Sequence, residues 1–415
     1  MKIVINYMRN LRQSNQEKCR NALGVFSVIW IIVTSGGVFF NSRAIVNITL
    51  ILDVFLLMAQ IALMHKFILK RHATPFGYLV LMITCVLFSI ILNLDFSAWL
   101  SYARLFLILT LAFGTSLLID NDRIVQVFVK VVIALAVASV ILFYSEFVAR
   151  NASLFPVIDF YDYKYINALI YLHFESVESR NFGIFIEPGM YQIYLNLCLF
   201  ALLYGRQNIK YKYKYIFVAI LLLAIFSTNS TTGYILGVII IGFLAFKKSQ
   251  KKQSMFRLTA RAVLVILAVS LVGTSQFFIT NIQDKFNADK QLSFITRQNS
   301  TLIDLLIVAK NPLTGGGMGN YQDSLDKYDA TGLTIDAATN TFSQLAAIVG
   351  LPFVLLIVSR VILTLVRVRT DPATKIVFFI LYIVCFSTEP FILYPLFYLL
   401  MFMSFKVDIS KAARI

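Results

Sequence analysis

The chain is a succession of apolar runs, each about 15 to 20 residues long and so near the length that crosses a bilayer as a helix. Short polar connections separate most of them. The runs fall at about 22–40, 44–64, 77–93, 104–119, 127–148, 184–205, 215–228, 232–246, 262–279, 339–359, 376–388 and 391–405. None shows the ten-residue alternation of a barrel strand, and a backbone in lipid must satisfy its own hydrogen bonds. The pattern therefore predicts an all-α, polytopic transmembrane helical bundle of about twelve spans, a single integral membrane domain over 1–415. The opening MKIVINYMRNLRQSNQEKCRN has no apolar core before a cleavage site, so no removable signal peptide is expected.

Two polar stretches break the rhythm, 149–183 and 280–338, and the second is the longer. Apart from them, no connection is large enough to hold chemistry. Within the second, FITRQNSTLIDLLIVAKN places Phe294, Ile295, Leu302, Leu305, Leu306 and Ala309 near helical spacing, and Pro312 ends it. An amphipathic helix lying on or in the outer face is predicted. The runs at 215–228 and 232–246 are short and meet at STNSTTG. Those hydroxyls either line a wet cavity or form a tight turn.

Composition agrees with a membrane protein, at 59% hydrophobic and 14% charged residues. The net charge of +16 raises the question of nucleic acid, but its placement answers it. Most Lys and Arg fall in the termini and in KFILKR, RQNIKYKYK, KKSQKKQSMFRLTAR and RVRTDPATK, all on one side of the bundle. Cationic connections stay in the cytoplasm, so both termini are expected inside, with the two long loops facing outward. No nucleic-acid partner is expected. Of the cysteines, Cys19 is cytoplasmic and Cys85, Cys198 and Cys385 fall in runs, so neither a disulfide nor a metal site is expected.

Candidate chemistry gathers at the outer face. Arg180 and Glu187 flank the mouth of the sixth run, where the pair either pins the helix entry or serves catalysis. Arg297 lies in the first turns of the amphipathic segment and Lys310 near its end. TGGGMGNY, with Gly315 and Gly317 ahead of Tyr321, either makes an anion-binding nest of amides or is a flexible connector. It lacks the GxxxxGK[ST] of a nucleotide loop. His173, the only histidine on this side, is expected as a solvated loop residue rather than a base. Asp53 in the second run calls for a partner or a function. Asp120 and Asp122 read as turn residues.

RNFGIFIEPGMY, STNSTTGYILG, TRQNSTLIDLLIVAKNPLTGGGMGNY and TNTFSQLAAIVGLPFVLL, in that order, resemble the bacterial O-antigen polymerase and ligase superfamily over about 175–365. The resemblance implies an inverting, metal-independent glycosyltransferase in the bacterial cytoplasmic membrane, without cofactor, acting on undecaprenyl-diphosphate-linked repeat units. Membrane lipid and a chain-length regulator protein are the other partners it implies. Arg180 and Arg297 would hold the diphosphate and, with Glu187 and Asn340, form the catalytic set. Gly315, Gly317, Tyr321, Lys310, Asp336, His173 and Glu389 would bind substrate. Glu187, Asp336, His173 and Glu389, in falling order, are the candidate bases. Thr339-Asn340 stands where ligases commonly carry His-Asn, and Thr231 follows Ser230 where the family often has arginine. Both departures favour a polymerase over a ligase, with a lipid-linked oligosaccharide flippase as the reading from another class.

Overall fold

The computed structural model describes residues 2–42, 44–64, 73–160, 163–174, 179–204, 214–246, 292–329, 340–368 and 370–403. The helices are α1 (Lys2–Thr34), α2 (Val38–Asn41), α3 (Val46–Met64), α4 (Ala73–Leu92), α5 (Trp99–Leu118), α6 (Asn121–Ser145), α7 (Phe147–Arg150), α8 (Pro188–Tyr204), α9 (Lys214–Ser227) and α10 (Thr231–Phe246). After them come α11 (Leu292–Lys310), α12 (Met318–Asp329), α13 (Thr341–Val349), α14 (Leu351–Arg367), α15 (Pro372–Ser387) and α16 (Pro395–Phe402). The protein is a helical membrane protein: α3 to α6 contain segments long and apolar enough to cross a bilayer, with α9, α10 and α15 shorter apolar helices. The predicted run at 262–279 lies outside the described residues.

Helix α8 is the centre of the bundle. It is buried almost throughout and packs against α6, α9 and α10, while α5 packs on α1, α3 and α16. Aromatic rings fill the space at its outer end, where Phe185 stacks on Tyr194 with centroids 4.3 Å apart. Three acids singled out in the first half have local explanations. The Trp30 indole donates to Asp53 at 2.6 Å, and Asp120 and Asp122 lie at the start of α6, where a helix favours negative charge.

Two features correct the all-helical expectation of long unbroken spans. The first outer stretch holds a three-stranded antiparallel sheet of β1 (Val157–Phe160), β2 (Tyr163–Asn167) and β3 (Leu172–His173), ordered β1-β2-β3. The dense aromatics there include strand residues: Phe160 pairs with Tyr163, and Ile158 with Tyr165. The run at 339–359 is two helices, broken at Gly350 with φ +102°. A Cβ on Gly350 would lie 2.2 Å from the Leu313 carbonyl oxygen, so the break exists because the second outer stretch passes against it. Helices α13 and α16, of 9 and 8 residues, extend only about 12 to 14 Å at 1.5 Å per residue, too short to cross alone.

Candidate functional site

A turn that follows α1 positions the first half of the site. Gly36 takes φ +88°, and its carbonyl accepts the Ile186 amide at 2.9 Å, while the Val38 amide donates to Ile184 at 3.1 Å. From the sheet, the Tyr165 hydroxyl donates to the Ile186 carbonyl at 3.0 Å. Residues 184–186 are thus held from two sides. Glu187 follows immediately, its carbonyl accepting the Met190 and Tyr191 amides to start α8 and its side chain exposed.

Arg180 is set by the turn between α9 and α10. The Asn181 amide donates to the Ser227 carbonyl at 2.8 Å, and the Asn181 side chain donates to the Ser227 and Ser139 hydroxyls at 2.9 and 3.2 Å. With its neighbour fixed in this way, Arg180 donates through Nε to the Thr228 carbonyl at 3.1 Å. Asn229, in the left-handed region at φ +48°, turns the chain back at once. STNSTTG is therefore a tight turn, and its carbonyls face the site. Burial presses the Arg180 pKa down, and the charges of Glu389 and Glu187 press it back up.

The second half comes from α11 and from the connection between α15 and α16. Arg297 donates through one terminal nitrogen to the Thr388 carbonyl at 3.2 Å and lies 3.6 Å through the other from Glu389 Oε1. Glu389 is 4% exposed. Its backbone is tied to the start of α13: the Thr341 hydroxyl donates to the Glu389 carbonyl at 2.6 Å and accepts the Phe391 amide at 2.8 Å. Its carboxyl lies on the first turn of α8, where a Cβ on Gly189 would be 1.9 Å from Oε1, and the charge of Glu187 acts on it. Burial, and then the adjacent Glu187 charge, drive the Glu389 carboxyl well above the usual range. Arg180, Glu187, Arg297 and Glu389 therefore form one cluster of two cations and two carboxyls.

The glycine turn does something else. Gly315 and Gly317 take φ +64° and +86°, as a nest requires, but the amides already have acceptors. Gly316 donates to the Ala347 carbonyl at 2.7 Å, Gly317 to Ile348 at 3.1 Å, and Gly319 to Asp95 Oδ2 at 2.8 Å. The two carbonyls are those left over at the C-terminal end of α13. Asp95 also accepts from the Tyr102 and Ser97 hydroxyls at 2.8 and 2.9 Å. Burial pushes the Asp95 pKa up, but these donors outweigh it and hold the carboxyl below its ordinary value. Amides that the sequence offers to a phosphate are thus filled by the protein's own oxygens. Each glycine is needed for close approach: a Cβ at Gly317 would come within 2.7 Å of Asp95 Oδ2.

Other predicted residues lie in less open places. The Tyr321 side chain is 4% exposed, and its hydroxyl donates to Asp304 Oδ1 at 2.9 Å. His173, expected in solvent, is 7% exposed because β3 pairs it with Ile166 beneath the sheet. Asn340 caps α13, its side-chain oxygen accepting the Phe342 and Ser343 amides at 2.9 and 3.3 Å. Lys310 is exposed in the last turn of α11. Asp336 lies outside the described residues.

Helix α11 turns its leucine stripe away from the rest of the protein. Leu302, Leu305 and Leu306 are exposed, and the face packed against the protein carries Thr296, Ser300, Ile303, Asp304 and Ile307. Sequence reasoning passed over Asp304, which accepts from the Tyr321 and Ser343 hydroxyls and so ties α11 to α12 and α13. A lone carboxylate inside LIDLLIV was the available signal. It likewise passed over Asp95 and the Thr228 and Thr388 carbonyls, for which residue type carries no signal.

A family model described as O-Antigen ligase matches residues 216–358, about a third of the chain. No curated protein matches it. The matched segment contains Thr228, Arg297 and Asn340, whereas Arg180, Glu187 and Glu389 come from outside it.

Proposed function

Because residues 216–358 form a domain of the O-antigen ligase family, whose members are membrane glycosyl-transferring enzymes, we propose that this chain is a polysaccharide polymerase of the O-antigen or capsule type. It moves a growing glycan from undecaprenyl diphosphate onto the next lipid-linked repeat unit, at the outer face of the bacterial cytoplasmic membrane, with both termini inside. The observation that carries this reading is the meeting of Arg180 and Arg297, far apart in sequence, around Glu389.

When the anomeric C–O bond breaks, its electron pair passes to the diphosphate oxygen, and the leaving group gains charge. Two guanidiniums at a partly buried site are suited to that anion, through paired donors that need no rearrangement. The arginines supply the positive charge that a metal gives elsewhere, and a single displacement inverts the anomeric centre. The exposed Leu302, Leu305 and Leu306 of α11 seat this helix against lipid, beside which the carrier's isoprenoid chain remains in the bilayer. A ligase would use the same leaving group with a different acceptor.

Purified protein supplied with defined lipid-linked repeat units should build a ladder of products in the presence of EDTA. Arg180→Ala and Arg297→Ala should each slow transfer by at least ~100-fold, the scale of losing one charge-stabilising donor. In cells, single repeat units should still reach the surface. An unchanged ladder in both variants would exclude the reading. Loss of every surface unit would favour a flippase, and transfer only to a lipid A core acceptor would favour a ligase.

A further inference from the structure

We propose that Tyr163 and the row of rings behind it form a saccharide subsite, a shelf on which a sugar of the repeat unit stacks beyond the reacting one. The shelf rests on the reading of this chain as an enzyme that joins lipid-linked repeat units, and it names where their glycan lies. Strand alternation puts Tyr163 and Tyr165 on one face of β2, opposite Phe160 and Ile158 of β1. Behind them the Phe174 ring lies 5.6 Å from Tyr163, at 90°, and 5.2 Å from Tyr165. The Phe182 ring follows, 5.8 Å from Phe174 and 6.0 Å from Tyr165. Such contacts hold the rings in set orientations.

The row is closed at one end and open at the other. Tyr165 is buried, and its hydroxyl donates to the Ile186 carbonyl at 3.0 Å, one residue before Glu187. Phe182 is buried two residues after Arg180. Phe174 is half-buried, and Tyr163 is 53% exposed. The inner end is thus fastened to the Arg180–Glu187 segment, while the outer end presents a tyrosine backed by a second ring.

Exposed apolar residues elsewhere on this sheet have another character. Leu154, Val157, Leu169 and Ile170 are exposed at the opposite end of the strands, where β1 begins and β2 turns into β3. All four are aliphatic, as a surface against lipid is. At the Tyr163 end the neighbours are Asp159 and Lys164, both exposed and paired across the strands. A bilayer anchor would stand with the aliphatics. A ring with an apolar face and a polar tip, beside charged residues, suits a sugar, whose C–H face packs on an aromatic while its hydroxyls stay wet. Tyr163 lies two residues from Tyr165, about 7 Å along the strand. With the diphosphate at the arginines, that distance sets the stacked sugar away from the reacting bond, so the shelf acts on binding of the repeat unit and not on bond transfer.

The test uses purified full-length protein, undecaprenyl diphosphate carrying either the complete repeat unit or its first sugar alone, and the lipid-free repeat-unit oligosaccharide. Tyr163→Ala should raise KM for the complete unit ~3- to 10-fold, the scale of one lost ring stack, and weaken oligosaccharide binding by the same factor in saturation-transfer NMR. Its affinity for the single-sugar lipid and its thermal midpoint should match wild type. Tyr163→Trp should restore both values, and Tyr163→Leu should not, because leucine replaces apolar area without a ring face. A wild-type KM for the complete unit in Tyr163→Ala, an equal loss of affinity for the single-sugar lipid, or recovery by Tyr163→Leu would each overturn the shelf, the last by making Tyr163 a lipid anchor. Failure of the transferase reading shows separately, as wild-type protein that binds the oligosaccharide but makes no product from the lipid-linked unit.

Discussion

The glycine turn at 315–319 and the cluster of Arg180, Glu187, Arg297 and Glu389 both offer positive groups to an anion, yet one is closed and the other open. In the turn, the amides of Gly316, Gly317 and Gly319 end on Ala347, Ile348 and Asp95. In the cluster, Arg297 is 44% exposed at its side chain and Glu187 is exposed, although each also touches a protein partner. The difference teaches that donor type and backbone conformation make an anion site only where the fold leaves room for the anion. A left-handed glycine run next to a helix C-terminus meets carbonyls instead.

If the closed region is structural and the open one chemical, substitutions in the first should change stability and leave donor binding intact. The largest such effect is expected at Asp304, whose burial raises its pKa from 3.8 to about 6 against the opposing hydrogen bonds of Ser343 and Tyr321. The folded protein therefore keeps a proton there that the unfolded chain releases, so stability is greatest below pH 3.8 and is lost as pH rises to about 6. The loss reaches up to ~3 kcal/mol, and Asp304→Asn should remove this slope from thermal midpoints measured across that range. Next, Gly317→Ala should cost about 2 kcal/mol, from a strained φ and a clash with Asp95. A fall in donor-lipid affinity without a fall in midpoint would make the turn a binding site after all. Smallest is Asn340→Ala, about 1 kcal/mol for a lost helix cap. If transfer falls more than ~10-fold at an unchanged midpoint, Asn340 belongs with the chemistry.

Much of this division was legible in the chain. The described apolar runs are largely helical because little within them competes with helical hydrogen bonding, and Pro312 follows the end of α11 as expected. Arg180 and Glu187 were singled out because charges at the mouth of a span are costly, and Arg297 because it opens the amphipathic segment. What could not be read were the contacts made by backbone: the carbonyls of Thr228 and Thr388 hold both arginines, and any residue supplies a carbonyl. The inward face of α11 went unread for a related reason. Its leucines satisfy the helical period, but Asp304 and Ser300 have protein partners, so the polar edge faces inward and the apolar one outward. Periodicity finds a stripe without telling which solvent it meets.

The turn that follows α1 has one further bond. The Ser35 hydroxyl accepts the Leu396 amide at 3.0 Å, joining the end of α1 to the start of α16. During synthesis the amino-terminal helices emerge long before Leu396 does, so this latch beside the seat of Glu187 forms only once α16 has been made. A nascent protein halted before α16 would lack this bond, and the turn after α1 would be held by its contacts with residues 184 and 186 alone.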